Sequence, residues 1–291
     1  MHPEFLKGTK SMKYAFMTMD VESYYDIECF KGRDLEYNKE YSCEEAMIDY
    51  VHLLDKYNIK GTFFTLCSSL PLSRIYLKEA IQNGHELALH GLDHTSPLQM
   101  SEKEFEEAII KSKEILENEF NTTIKGYRAP CFGILDSYIE ILKRNGFSYD
   151  SSSLNFHLAI NSGKVNLESY ERLNHLCYKK DNFFEITPNR VRAYSGHLPV
   201  SGGGYIRLVP WFVIKYYIWK CIRNTDCYMF YVHPYEVSKK KAPHMKGIKF
   251  VEWFFVRIGR KSYLKKIERI IRYLKKKGFE FKSLGEYTKT A

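Results

Sequence analysis

From Tyr14 to Asp150 the chain alternates short apolar runs with amphipathic stretches, and this alternation constrains the fold more than any other feature. The apolar run Tyr14–Met19 ends at Asp20 and reads as a buried strand. Glu44 to Tyr57 has helical apolar spacing (Ala46, Met47, Tyr50, Val51, Leu54), with Ser42 and Glu45 in capping-box register. Gly61–Leu66 predicts a second strand, Ser73–Asn83 a helix closed by Gly84, and Glu86–Leu89 a third strand running into His90. Ser101–Phe120 predicts a long helix with a Ser101/Glu104 capping box. A strand at Ile124–Tyr127, a helix at Asp136–Asn145 and a strand at Phe147–Asp150 follow. Strands and helices in this order imply α/β architecture: a parallel sheet with helices outside, open or closed as a barrel. In such folds active sites gather where strands end. Asp20, His90, His94 and Arg128 all stand at such ends.

Residues 154–205 break the pattern, with Ser, Asn and Gly frequent, and read as an insertion carrying one strand at Phe183–Thr187 and ending in Ser201-Gly202-Gly203-Gly204-Tyr205. Beyond it the spacing predicts a helix at Trp211–Arg223 and a strand at Cys227–Val232 with His233-Pro234 at its end. A basic amphipathic helix at Lys261–Lys277 and a last strand at Phe279–Ser283 complete the chain. With 291 residues, 44% of them hydrophobic, one large domain over residues 13–291 is the simplest reading, preceded by a flexible leader at residues 1–12. The seven cysteines form no CxxC pair and are odd in number, which speaks against a disulfide framework or a thiolate zinc site. No signal-peptide core and no membrane-length apolar run is present, so a soluble cytoplasmic protein is the expectation. The formal charge of +9 admits an anionic polymer, nucleic acid or an anionic membrane as partner. No zinc-finger spacing, RNP-like motif or helix-turn-helix signal accompanies it, so nucleic acid is not expected.

Four groups carry chemistry. His90 and His94 have the spacing that brings two imidazoles onto one face of a helical turn, and neutral histidine is the commonest metal ligand. Asp20 and Glu22, two apart in an extended segment, point the same way, so that one can ligate metal while the other takes a proton from water. Arg128, in Arg128-Ala129-Pro130, can hold a carboxylate by paired hydrogen bonds. His233 ends an apolar strand and is a candidate general acid, with Asp150 a candidate to fix its tautomer.

Taken in order, these motifs resemble those of the polysaccharide deacetylases with a NodB-homology domain: an acidic motif on the first strand, His-x-x-x-His, Arg-x-Pro, an Asp-containing segment and a late strand ending in histidine. The resemblance covers roughly residues 13 to 287. It implies a distorted (β/α) barrel and a metal-dependent hydrolase that removes N-acetyl groups from a sugar or polysaccharide. It also implies a divalent metal, usually zinc, on His90, His94 and one carboxylate of the acidic motif. Because Val21 separates the acids, Glu22 is assigned as ligand and Asp20 as general base, with the swap left open. By the same resemblance Arg128 orients the base, His233 protonates the leaving amine, Asp150 tunes His233, and the backbone N–H near Cys131 serves the oxyanion. The Asp-Val-Glu form, the Ser-Gly-Gly-Gly-Tyr segment and His233-Pro234-Tyr235-Glu236 look most like a cytoplasmic branch associated with exopolysaccharide and surface-glycan loci. A hydrolase of a non-sugar C–N amide, and an inactive glycan-binding module, are the alternatives. Lys261, Lys265, Lys266, Arg269 and Arg272, with Lys275 to Lys277, add one expectation, a peripheral contact of the basic C-terminal helix with an anionic membrane.

Overall fold

The structure, a computed structural model, describes residues 12–27, 30, 43–154, 165–193, 196–223, 225–243 and 248–291. Strand β1 (Lys13–Val21) lies at its centre, buried along Ala15–Val21 on both faces, as a near-continuous apolar run in a parallel sheet should be. It pairs in parallel with β11 (Cys227–Val232) along Tyr14–Met19, with β2 (Thr62–Leu66) along Thr18–Val21, and with β12 (Phe279–Phe281) along Lys13–Ala15. From β2 the parallel order runs through β3 (Glu86–Gly91), β4 (Gly126–Tyr127), β5 (Tyr149–Asp150) and β8 (Phe183–Ile186). Antiparallel β7 (Cys177–Lys180) and β6 (Glu171–Arg172) extend that edge, while β9 (Arg190–Ala193) and β10 (Gly196–Pro199) form a separate hairpin. The sheet curls into a half-barrel with helices outside, which agrees with the expected distorted barrel.

The helices are α1 (Ala46–Lys56), α2 (Leu70–Gln82), α3 (Glu102–Phe120), α4 (Asp136–Arg144), α5 (Gly203–Leu208), α6 (Trp211–Ile222), α7 (Pro234–Val237), α8 (Phe250–Arg257), α9 (Arg260–Lys276) and α10 (Leu284–Thr290). The Ser101/Glu104 capping box of α3 is present in both directions, and Asn121 ends that helix in the left-handed region at φ 47. The expected cap at Ser42 lies outside the described residues, and α1 starts behind Glu45 without a side-chain cap. Helix α2 begins earlier than its sequence signal. Ser73 caps nothing: it is buried and donates back to the Ser69 carbonyl at 2.8 Å, while Pro71 occupies the first turn. The described part of residues 154–205 holds more strands than its composition suggests. It carries β6, β7, β9 and β10 besides the expected strand, each only two to four residues long. Strands that short offer little alternation to read. Helices α8 and α10 carried no clear sequence signal either. Among the described residues no helix is long and apolar enough to cross a bilayer, and the described cysteines are unpaired.

At the strand starts, a buried polar layer ties the chain end to the sheet. Glu86 accepts from the Thr62 and Tyr149 hydroxyls (2.7 and 2.8 Å) and from the Gly285 N–H at the start of α10 (2.8 Å). His85 lies beside it, its Nδ1 accepting the Gly61 N–H at 3.0 Å. Burial outweighs the neighbouring Asp55 carboxylate and pushes this imidazole down to about 4. A histidine that must be neutral when folded contributes stability fully present above its unfolded pKa near 6.5 and lost as pH falls toward 4. Urea midpoints measured at pH 7 and pH 4.5 should therefore differ less in His85→Gln than in the parent chain; an unchanged difference would remove His85 from the acid response.

Candidate active site

The strand order brings the far ends of β1, β3, β4 and β11 together at one mouth. Just beyond β1 the Glu22 N–H donates to the Asp20 carbonyl at 3.0 Å, so the chain turns there and both carboxylates stay at the mouth, buried. His90 is still in β3. Gly91 follows at φ +140, where an added Cβ would meet the Asp93 carbonyl at 3.0 Å. That glycine allows the bend that returns His94 to the site. The two imidazoles therefore meet across a strand end and a bend, and not on the helical turn that their spacing suggested.

His90 Nε2 and His94 Nε2 lie 2.9 and 3.1 Å from Glu22 Oε1. These ligand atoms all fall within 4.8 Å of one another. His90 also places Nδ1 2.7 Å from the Arg128 carbonyl, an acceptor only, so Nδ1 carries a proton. In a neutral ring the Nε2 lone pair then faces a carboxylate oxygen at hydrogen-bond distance. Two acceptors cannot sit so close without a cation or a further proton between them. Two imidazole nitrogens and one carboxylate, with Nδ1 anchored to a backbone carbonyl, are the donor set and outer support of an open divalent-metal site. The residues fit the group. The same contacts perturb titration. Burial penalises the Glu22 carboxylate, yet the charges of His94 and His233 and the imidazole hydrogen bonds hold it well below its usual range. Burial opposes charge on His94 too, and the attraction of Glu22 nonetheless raises its pKa.

Asp20 is held from the other side. Buried Arg128 donates from one terminal nitrogen to Asp20 Oδ1 at 2.6 Å and to Thr18 Oγ1 at 2.9 Å. Its Nε and other terminal nitrogen donate to the carbonyl and hydroxyl of Ser151 at 3.2 and 2.9 Å, and its plane lies 4.0 Å from the centre of the Phe64 ring. The acidic pair thus separates: Glu22 with the imidazoles, Asp20 with the guanidinium. His233 Nε2 stands 4.0 Å from both Asp20 Oδ2 and Glu22 Oε1. Cys131 and Phe132 follow Pro130 with φ of 55 and 57, two consecutive left-handed non-glycine residues at the mouth. Strained backbone of this kind persists where a site requires it.

The expectation for Asp150 is not met by this geometry. Parity explains why: Ser151 faces Arg128, so its neighbour Asp150 faces the opposite side of the sheet. There Asp150 accepts from the Ser152 hydroxyl and N–H (2.6 and 2.9 Å) and sits opposite Glu185 across the β5–β8 ladder. The partner of His233 is Glu236, whose Oε2 lies 3.0 Å from His233 Nδ1 and accepts the His233 N–H at 3.1 Å. Arg207 donates to the other oxygen of Glu236 at 3.2 Å, and both are buried. Sequence reasoning missed this pair, although a Glu three residues after His233, behind Pro234, has the spacing of a capping box. Burial opposes charge on His233, but Glu22, Glu236 and Asp20 push its pKa up to about 9. NMR titration of the metal-free protein should find His233 near that value, shifted toward the ordinary imidazole range in Glu236→Gln and unmoved in Asp150→Asn. The reverse pattern would restore Asp150 as the partner.

Residues 35–149 match the polysaccharide deacetylase family, and residues 157–289 match a domain of unknown function, DUF3473. A peptidoglycan deacetylase of Helicobacter pylori is 31% identical over 100 residues, 34% of this chain and 34% of that protein, so the chain aligns with about a third of the relative's length. An allantoinase (Puue) superposes with a TM-score of 0.61 at 12% identity, covering 99% of this chain and 97% of that one. The catalytic domain of a peptidoglycan N-acetylglucosamine deacetylase from Eubacterium rectale superposes with a TM-score of 0.51 at 12% identity, covering 97% and 93%. At these identities the two structures bear on fold alone. The motif order and the match over residues 35–149 support a place in the polysaccharide deacetylase family.

Proposed function

We propose that the protein is a divalent-metal-dependent carbohydrate N-deacetylase, with Glu22, His90 and His94 as ligands and zinc as the ion this donor set best suits. The observation that carries the reading is the division of the two acids, Glu22 on the imidazoles and Asp20 on Arg128, with His233 4.0 Å from both. A bound divalent ion supplies Lewis acidity at the acetamide carbonyl and a more acidic water. Asp20 receives the water proton at Oδ2, the oxygen that its 2.6 Å bond from Arg128 to Oδ1 leaves turned toward His233. His233, held toward its charged form by Glu236 and Asp20, gives the Nε2 proton to the departing nitrogen while Glu236 holds Nδ1. The N–H of the left-handed Cys131 peptide donates to the developing oxyanion, a contact worth on the order of 3 kcal/mol. Acetate and a free amine leave. The Asp-Val-Glu motif and the scattered cysteines support placing the work in the cytoplasm, on an N-acetylated sugar of the kind that builds exopolysaccharide or surface glycan.

Acetate release from N-acetylglucosamine oligomers, followed with and without a chelator, tests this reading. Release that stops on chelation and returns with zinc is expected, with Asp20→Asn slowed by on the order of 10² to 10⁴. Metal bound one per chain without acetate release would overturn the sugar substrate. Metal should also stabilise the fold, by about 2.7 kcal/mol at a hundredfold excess over Kd. His90→Ala should lose that increment, read as a melting temperature no longer raised by zinc.

A further inference from the structure

The exposed side of α8 is apolar. Phe250 and Val251 are 74% and 61% exposed, Phe254, Phe255 and Ile258 stand out beside them, and in the helix only Val256 is buried. These positions recur at helical spacing and share one face. Their rings adjoin, with Phe250 5.8 Å from Trp253 and 6.3 Å from Phe254, so the face is one patch and not scattered side chains. Cations frame it. Exposed Lys249 precedes the helix, Arg257 lies over the Trp253 ring at 4.5 Å, and exposed Lys261 and Lys265 follow on the first turns of α9. Glu252, the single acid of α8, is turned back onto the Lys249 N–H at 3.3 Å. Helix α6 repeats the chemistry, with Phe212, Tyr216 and Trp219 exposed between exposed Lys215 and Arg223. The chain as a whole carries +9.

Large apolar and aromatic side chains flanked by Lys and Arg match the boundary between acyl chains and anionic headgroups. A nucleic acid would meet the cations but leave the phenylalanines in water. Helix α9, where the sequence placed a membrane contact, buries its own apolar side at Tyr263, Ile267, Ile270, Ile271 and Leu274 and can offer charge alone. We propose that α8 is a membrane-docking helix: Phe250, Val251, Phe254 and Ile258 enter an anionic lipid surface while Lys249, Arg257, Lys261 and Lys265 meet its headgroups. The helix adjoins the site. A cavity of about 280 Å³ between α5, α7 and α8 is lined by Phe255 and Glu236, and Arg207 donates both to Glu236 and to the Phe255 carbonyl. Docking through α8 would therefore set the turn carrying His233 beside the bilayer.

Co-sedimentation of the full chain with phosphatidylcholine vesicles, with and without 30 mole per cent phosphatidylglycerol, reads this without any substrate, so the result is independent of the deacetylase reading. Binding to the anionic vesicles, weakened by salt, is expected. Phe250→Ser with Phe254→Ser should reduce partitioning at least about tenfold, and Lys261→Glu with Lys265→Glu should do so to a similar extent on anionic vesicles only. Both variants should keep the parent circular dichroism and melting temperature, because the altered side chains stand in solvent. Equal binding by the parent and the phenylalanine variant, or none by the parent, would overturn the proposal. So would a lipid-free dimer that Phe250→Ser with Phe254→Ser converts to monomer, because a second copy would then cover the face.

Discussion

The buried ion pair between Arg128 and Asp20 is the interaction on which the rest of the structure depends. A guanidinium taken out of water needs all its N–H groups met, and here the partners come from four parts of the sheet: Thr18 and Asp20 on β1, Phe64 on β2, Ser151 beyond β5 and Met229 on β11. Removing either charge would leave the other buried alone, a loss of about 3 to 5 kcal/mol. The same bonds that satisfy the guanidinium aim Asp20, and the Arg128 carbonyl fixes the tautomer of His90. One residue thereby orients both halves of the site, which couples the geometry of the Glu22–His90–His94 cluster to the stability of the sheet.

Much of this could be read from the sequence, and the reasons differ by residue. Buried parallel strands announce themselves as apolar runs, so β1, β2, β3 and β11 were visible, and so were the groups at their ends, Asp20, His90 and His233. The capping box of α3 was equally plain because its signal is local. What sequence left hidden depended on direction. Asp150 stands at a strand end like the others, but strand parity turns it to the helix side, toward Glu185. Two-residue strands such as β4 and β5 give too little alternation to establish parity from pattern alone. Glu236 was overlooked for the opposite reason: its bond to His233 is local, but only the buried Arg207 on the other oxygen distinguishes it from an ordinary capping glutamate.

The two matched segments of the chain do not divide the structure. The first supplies His90, His94 and Arg128, the second His233, Glu236 and Arg207, and the sheet passes between them at the β5–β8 ladder. Asp20 and Glu22 lie ahead of both. A family description that stops at residue 149 therefore holds the clustered histidines without the group that faces them across the mouth.

The position of β1 has a consequence for synthesis. As the chain leaves the ribosome, β1 emerges ahead of its partners; β2 soon gives it one neighbour, and β3 and the bend after it complete the Glu22–His90–His94 cluster. Its other edge waits for β11, and the Arg128 pocket stays open until Met229 arrives. At roughly 5 to 20 residues per second that interval lasts on the order of ten seconds, during which the buried central strand of the sheet has an unpaired edge. The nascent protein thus holds the Glu22–His90–His94 cluster on an unfinished sheet, and the segment that brings His233 also closes its exposed edge.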